Sequence, residues 1–403
     1  MAYDILVKGG TLIDPGMGIH GLRDIGIENG RVVAISSEIS SAEAKRLINA
    51  KGMIATPGLI DIHTHVAEVI MPLAVSPDEA GVLSGVTTIC DAGSTGYANF
   101  NAFRKLIIRN SRTDVFCFLN LSPIGQVVMP EIGWENINPE EMLKIIEENR
   151  DIIKGIKLRA VAGVVERFGV EAVKTAKKTA KQANLPIAVH IGIGLEDTIS
   201  DDKLDDFTPK MLAILDKGDI LIHTFTHRKG GVIKPDGRVL PELREAIERG
   251  VVLDIATGSS HFSFELARMA MDQGIMPTTL STDIVNTNIN GPVVFSLPVI
   301  MSKFLGLGLK LDKVIEMTTV NPALALHESK ERGTVRIGMP ADISLFELAE
   351  GDFLFFDGKA GNTLQGRALL IPRLTIKSGI EIPTQSRFRN YIPGEQVSFP
   401  KGT

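Results

Sequence analysis

The stretch Gly58-Leu59-Ile60-Asp61-Ile62-His63-Thr64-His65 decides how this chain is read. Its apolar run predicts a short strand, and two histidines stand two residues apart at the end of that strand. Side chains alternate between the faces of a strand, so His63 and His65 point the same way and can grip one cation. Neutral imidazole is the commonest protein ligand for zinc and related metals. On its own a His-x-His pair is more often two surface histidines on an edge strand. The reading therefore turns on what the pair meets further along.

Downstream of Gly58, short apolar strands alternate with helix-like stretches at roughly 30-residue intervals, the pattern of repeated β-α units on a parallel sheet. Eight strands are expected: Leu59–His65, Val86–Ala92, Val115–Leu121, Gly155–Arg159, Ile187–Ile191, Ile220–Phe225, Val251–Ala256 and Pro277–Asp283. Glu140–Asn149 and Val170–Asn184 carry helical periodicity between them, and Asn138-Pro139 supplies a cap with proline in the first turn. The fold class is α/β, and the pattern predicts a (β/α)8 TIM barrel over residues 58-328. A doubly wound open sheet is the alternative, but no Gly-x-Gly-x-x-Gly follows the first strand. Upstream, residues 1-57 read as short strands, with Asn29-Gly30 as a hairpin turn. Residues 329-403 return to short strands, so the two chain ends are expected to form one small β-sandwich domain around the inserted barrel. Within the tail, Phe353–Arg367 reads as an irregular loop, and the last ten or so residues as loosely held.

Composition narrows the classes of function. The 403 residues are 44% hydrophobic and 23% charged, ordinary for a globular protein. A net charge of -5 gives no basic footprint for nucleic acid. The two cysteines, Cys90 and Cys117, lie inside apolar runs and read as buried free thiols. No run approaches the ~18 apolar residues that span a bilayer, and the N-terminus lacks the layout of a signal peptide. A cytoplasmic protein with no membrane partner is expected, and, by the habit of soluble enzymes, a homo-oligomer.

In barrels of this kind chemistry sits where the strands end. Those ends carry His63 and His65, then His190, His223 and Asp283, while Lys157 lies within an otherwise apolar strand. Each has a bland explanation alone, since a strand-end aspartate often caps a helix and a strand-end histidine is often a bonded core residue. An unpaired buried ammonium is costly, which makes Lys157 harder to dismiss. Six such groups at one end of successive strands point to a metal site.

On these residues the sequence resembles the amidohydrolase superfamily over nearly its whole length. The matching features are Thr56-Pro57-Gly58 through His65, Lys157, His190, His223 and Asp283, with Asn321-Pro322-Ala323 and Gly338-Met339-Pro340-Ala341-Asp342-Ile343 resembling its C-terminal signatures. Within it the chain is most similar to the amidohydrolase/deacetylase, dihydroorotase-like branch. The resemblance implies two divalent metal ions, usually zinc, with carbon dioxide incorporated as an N6-carboxylysine at Lys157. It implies that His63, His65 and Asp283 hold one metal, that His190 and His223 hold the other, and that carboxylated Lys157 bridges them. Lys154 is the rival for the bridge, but three positions away it falls on the opposite face. The implied mechanism is attack by a metal-bridged hydroxide, with Asp283 as the catalytic acid and base.

For the substrate, Arg159 shares the inward face with Lys157 and suits a carboxylate, although a structural ion pair would explain it equally. His261 is expected over the mouth as a second anion contact or a simple loop residue. Tyr97, in the loop Gly93–Tyr97, could present its hydroxyl to a carbonyl. His227 reads as a loop or supporting residue, and Ser122–Asn138, with Met129 and Trp134, as a candidate lid. These point to a small acylated acid, either an N-acyl amino acid or an O-acyl 2-hydroxy acid. A cyclic amidase of dihydroorotase or hydantoinase type is the alternative. A non-catalytic scaffold homologue is the third possibility, but such proteins lose ligands, and every ligand position is filled here.

Overall fold

The computed structural model describes residues 3–128, 134–194 and 199–384. The chain begins with β1 (Tyr3–Asp14), β2 (Ile19–Glu28), β3 (Arg31–Ser36), β4 (Ala44–Asn49) and β5 (Ile54–Pro57). Asn29 and Gly30 take φ of 50° and 72°, the left-handed pair that a tight β2–β3 hairpin demands. Next come β6 (Leu59–Thr64), β7 (Val86–Asp91), β8 (Asp114–Asn120), β9 (Ile153–Arg159), β10 (Ile187–His190), β11 (Ile220–Ile222) and β12 (Val252–Asp254). These seven lie side by side in chain order as one parallel sheet. Their Val- and Ile-rich runs are buried on both faces, as a helix-covered parallel sheet requires. β13 (Ile343–Phe356), β14 (Thr363–Lys377) and β15 (Ile380–Pro383) are the last strands among the described residues.

The strands from the two chain ends do join. The second sheet runs β15-β14-β13-β5-β1-β2-β3, with β4 beside β1. β5 pairs antiparallel with β13, matching Pro57 to Ile343. Where a sandwich was expected, these strands form one continuous sheet, curled until Arg31 bridges Pro340. The curl wraps a core of its own, including Leu12, Ile25, Val32, Ala55, Val335, Leu345 and Ile376. Phe353–Arg367 is not an irregular loop. It is the far half of a hairpin whose pairing runs to Phe356 and Thr363, and Phe353, Phe355 and Leu364 are buried there. Gly351 and Asp352, just before that stretch, fall at a register shift in the ladder.

Four expected strands differ by two residues or more, and three differ for one reason. His223, Ala256 and Asp283 have φ of 64°, 42° and 53°. Such left-handed turns end β11 and β12 early and keep Pro277–Asp283 from forming a continuous ladder. That segment still touches both edges of the parallel sheet, through Asp254 to Thr279 and Thr64 to Ile284. Asp283 N–H donates to His63 C=O at 2.8 Å, and Gly258 N–H to Thr282 C=O at 3.0 Å. The fourth difference is at β9, which starts two residues before the expected Gly155.

At the opposite end of the strands, charges tie the two sheets together. Arg332 reaches Asp114 at 2.7 Å and Glu328 at 3.3 Å, while Lys377 bridges Asp114 and Asp342 at 2.8 Å each. Removing one member strands its partners in poor solvent. A fully buried pair broken in this way typically loses roughly 3–5 kcal/mol, and the 40% exposure of Asp114 lowers the expectation. Arg332→Met should therefore destabilise the fold by about 2 kcal/mol, read from urea unfolding; an unchanged midpoint would show the network to be ornamental. Cys90 and Cys117 are buried and free. Among the described residues no helix is long and apolar enough to cross a membrane.

Candidate metal centre

The left-handed residues sit where the polar groups converge. The His223 and Asp283 side chains are swung over the strand ends, and backbone strain of this sort costs about 1–3 kcal/mol per residue unless the surroundings enforce it. Enforcement is visible: His223 Nδ1 lies 2.6 Å from the carbonyl of Ala256, and Asn288 Nδ2 donates to the carbonyl of Asp283 at 3.0 Å. Two groups of ligand-type atoms result, His63 with His65 and Asp283, and His190 with His223 and His261. Within each group every ligand atom lies within 4.8 Å of the others.

Asp283 lies at the junction of the two. Its Oδ1 is 3.4 Å from His63 Nε2 and 3.2 Å from His65 Nε2, and its Oδ2 is 4.0 Å from His223 Nε2. His223 Nε2 and His190 Nδ1 face one another at 2.8 Å. Lys157, buried at 1% exposure, places Nζ 3.4 Å from His63 Nε2. Gly93 makes room for its stem, because a methyl group there would lie 2.7 Å from Lys157 Cγ and 2.8 Å from Cβ. Gly93 also has φ of +86°. Gly93→Ala is accordingly expected to destabilise the protein by about 1–3 kcal/mol. Gly163→Ala, where nothing lies within 4 Å, is the control. Equal thermal midpoints for the two variants would refute the packing argument.

The charge states suit cation binding. Burial pushes the His190 and His223 imidazoles well below the ordinary histidine range; the charges of His223 and Arg159 add to the fall at His190, and that of His261 adds at His223 against the opposing pull of Asp283. Burial also lowers His65, and takes His261 down to about 3. These rings are neutral at physiological pH and keep a lone pair to offer. Burial alone would raise the Asp283 carboxyl, but the facing imidazoles of His63, His65 and His223 hold it well below the carboxylate range. An anionic oxygen among neutral ring nitrogens is a donor set that fits divalent cations.

The residues singled out from sequence fall as follows. His63, His65, Lys157, His190, His223 and Asp283 are brought together at one end of the parallel sheet. Lys154 points elsewhere, paired with Glu328 Oε1 at 2.7 Å and lying over the Phe116 ring. Arg159 pairs in register with His190. His261 is not held apart over the mouth, since its ring stacks on His223 with centroids 4.1 Å apart. Tyr97 lies outside the cluster, its hydroxyl donating to the carbonyl of Asn136 at 2.8 Å. Of the candidate lid, Met129 and the side chain of Trp134 lie outside the described residues.

A supporting layer went unnoticed in the sequence. His65 Nδ1 lies 2.9 Å from Ser94 Oγ, and the Ser94 N–H in turn donates to Asp91. Asp254 accepts hydrogen bonds from Thr279 and Ser281, and its Oδ2 stands 3.8 Å from His63 Nδ1. Asp61 accepts from Thr282 at 2.6 Å. Burial pushes its carboxyl up to about 7 against those hydrogen bonds, and the charge of Asp254 adds to the rise. Alternation alone could have flagged Asp61, which shares a strand face with His63. Such partners orient metal-ligating histidines.

A parallel sheet with clustered imidazoles and a carboxylate at one end defines a metallohydrolase-type centre. The sequence profile of the Amidohydrolase family matches residues 54–368, and the chain belongs to that family. A deacetylase of Agrobacterium fabrum is 33% identical over 91% of this chain and 86% of its own length. Among solved structures, an adenine deaminase superposes with a TM-score of 0.85 at 29% identity, covering 95% of this chain and all of the other. A dihydroorotase superposes at 0.83 and 31% identity, over 97% and 99% of the two chains. Family membership makes this chain a hydrolase acting on C–N bonds.

Proposed function

We propose that the chain removes an acyl group from a small acylated carboxylic acid, either an N-acyl amino acid or an O-acyl 2-hydroxy acid. The observation that carries this reading is Asp283, whose one carboxylate faces His63, His65 and His223 at once. The bridges from Thr279 and Ile284 to the two edge strands support reading the parallel sheet as a closed (β/α)8 barrel with this site at its mouth.

In this reading two divalent cations, taken as zinc, fit the donor set. His63, His65 and Asp283 would hold one, His190 and His223 the other, and Lys157, carboxylated by carbon dioxide, would bridge them. Such ions supply Lewis acidity and a water that ionises near neutral pH. The protein's own groups do the rest. Asp283, kept anionic by its neighbours, takes the proton of the attacking water and delivers it to the leaving nitrogen or oxygen. The neutral imidazoles cannot donate protons near pH 7, so they serve as ligands. Arg159, two residues beyond Lys157, binds the substrate carboxylate as a two-pronged partner. Burial of Lys157 and the histidines keeps bulk water from competing.

Similarity to the deacetylase over most of both chains favours deacylation. The solved dihydroorotase, similar in fold and sequence, sustains the second reading, a cyclic amidase. Steady-state assays with N-acetyl amino acids, acetylated hydroxy acids, dihydroorotate and hydantoins separate the two. Turnover is expected on the acetylated acids, and turnover confined to the cyclic compounds would replace the first reading by the second. Dialysis against a chelator should remove activity, and returning zinc should restore it.

A further inference from the structure

His227 and Arg228, a few residues past His223, line a cavity of about 580 Å³, large enough for part of a small-molecule substrate. It is built from segments that follow β10, β11 and β12, the strands whose ends carry His190, His223 and Asp254. Arg228 joins cavity and cluster. A methyl group placed on Gly192 would lie 3.2 Å from Arg228 Cβ and 3.0 Å from His261 Nδ1, so the base of the Arg228 side chain and the His261 ring flank the same glycine.

The charges lining the cavity do not balance. Lys229 pairs with Asp201 at 2.7 Å, Lys234 with Asp205 at 2.6 Å, and Lys359 with Glu265 at 3.6 Å. Among the described residues Arg228 pairs with no carboxylate. Its Nε donates to the carbonyl of Ser260 at 3.0 Å, while its buried Nη1 finds no acceptor among the described residues. A buried guanidinium amine without a partner is destabilising, and an anion that the side chain turned to meet would relieve that loss. The neighbouring lining is aliphatic, from Leu204, Ile233 and Leu266. One uncompensated cation at the wall of a partly apolar cavity suits a single anionic group carried on a short hydrocarbon stem.

We infer that this cavity is a second subsite of the active site, in which Arg228 receives an anionic side chain of the substrate. The inference rests on the deacylase reading and narrows its substrates to acylated acids that carry a further carboxylate. Arg159 then holds the carboxylate next to the scissile bond, and Arg228 holds the distal one.

The direct test compares N-acetylglutamate with N-acetylglutamine, which match in shape and differ in charge. The wild-type enzyme should favour the former by about 10- to 100-fold in kcat/KM, mostly through KM. That preference should shrink in Arg228→Lys and vanish in Arg228→Gln. Equal kcat/KM for the two compounds in the wild-type enzyme overturns the proposal, whether or not the variants fold. A wild-type enzyme that hydrolyses no acylated acid removes the deacylase reading, and calorimetry with glutarate then decides the subsite separately. Binding that is lost in Arg228→Gln sustains the subsite. Binding that is absent, or equal in the two proteins, removes it.

Discussion

Asp283→Asn should lower kcat by roughly 10²- to 10⁴-fold, the range expected when a positioned proton carrier is lost. The substitution is chosen for its backbone. Asp283 has φ of 53°, a conformation that asparagine tolerates better than most residues. The carbonyl of residue 283 also keeps its hydrogen bond from Asn288, so the fold should survive. What disappears is the negative charge facing three imidazoles. Two losses are therefore expected together, the proton acceptor and one anionic ligand, and metal analysis of the purified variant tells them apart. Full metal content with a slow kcat isolates the proton-transfer role. A kcat within a few-fold of the wild type would mean that another group carries the proton.

Lys157→Ala should be at least as damaging, by about 10³-fold or more in kcat/KM, because the place that the proposed carboxylated lysine would take between the metals empties. The space it leaves is bounded by Gly93 and reaches His63, so a short carboxylic acid can enter and supply the two oxygens that the carbamate would have offered. Activity should accordingly return in part with added acetate or propionate. Lys154→Met is the contrast. Its amine lies with Glu328, away from the histidines, so that variant should lose stability and keep its turnover. Full activity in Lys157→Ala with loss in Lys154→Met would exchange the two assignments.

The legibility of the sequence follows from physical range. His63 and His65 announce themselves because a period of two is local, and Lys157 because an ammonium in an apolar strand contradicts its surroundings. Asp283 was found as the end of a strand, but its φ was not, since left-handed backbone at a non-glycine residue is imposed by contacts from elsewhere. That same imposition shortened β11 and β12 relative to expectation. The Phe353–Arg367 stretch reads as a loop from sequence because it is interrupted by glycines and its partner strand is unknown. Arg228 left no trace in the sequence at all. It follows His227 in a loop, and only the pairing of every neighbouring lysine makes its solitary charge meaningful.

The join between β5 and β13 has a consequence for how the protein is made. The backbone of Leu59 is tied to Ser344, 285 residues away, where the first strands meet the last. On the ribosome the opening strands must wait, with apolar faces uncovered, until β13 has emerged. Nascent chains halted before residue 343 should accordingly be captured by chaperones and degraded readily, and emergence of β13 and β14 should be the event that ends that vulnerability.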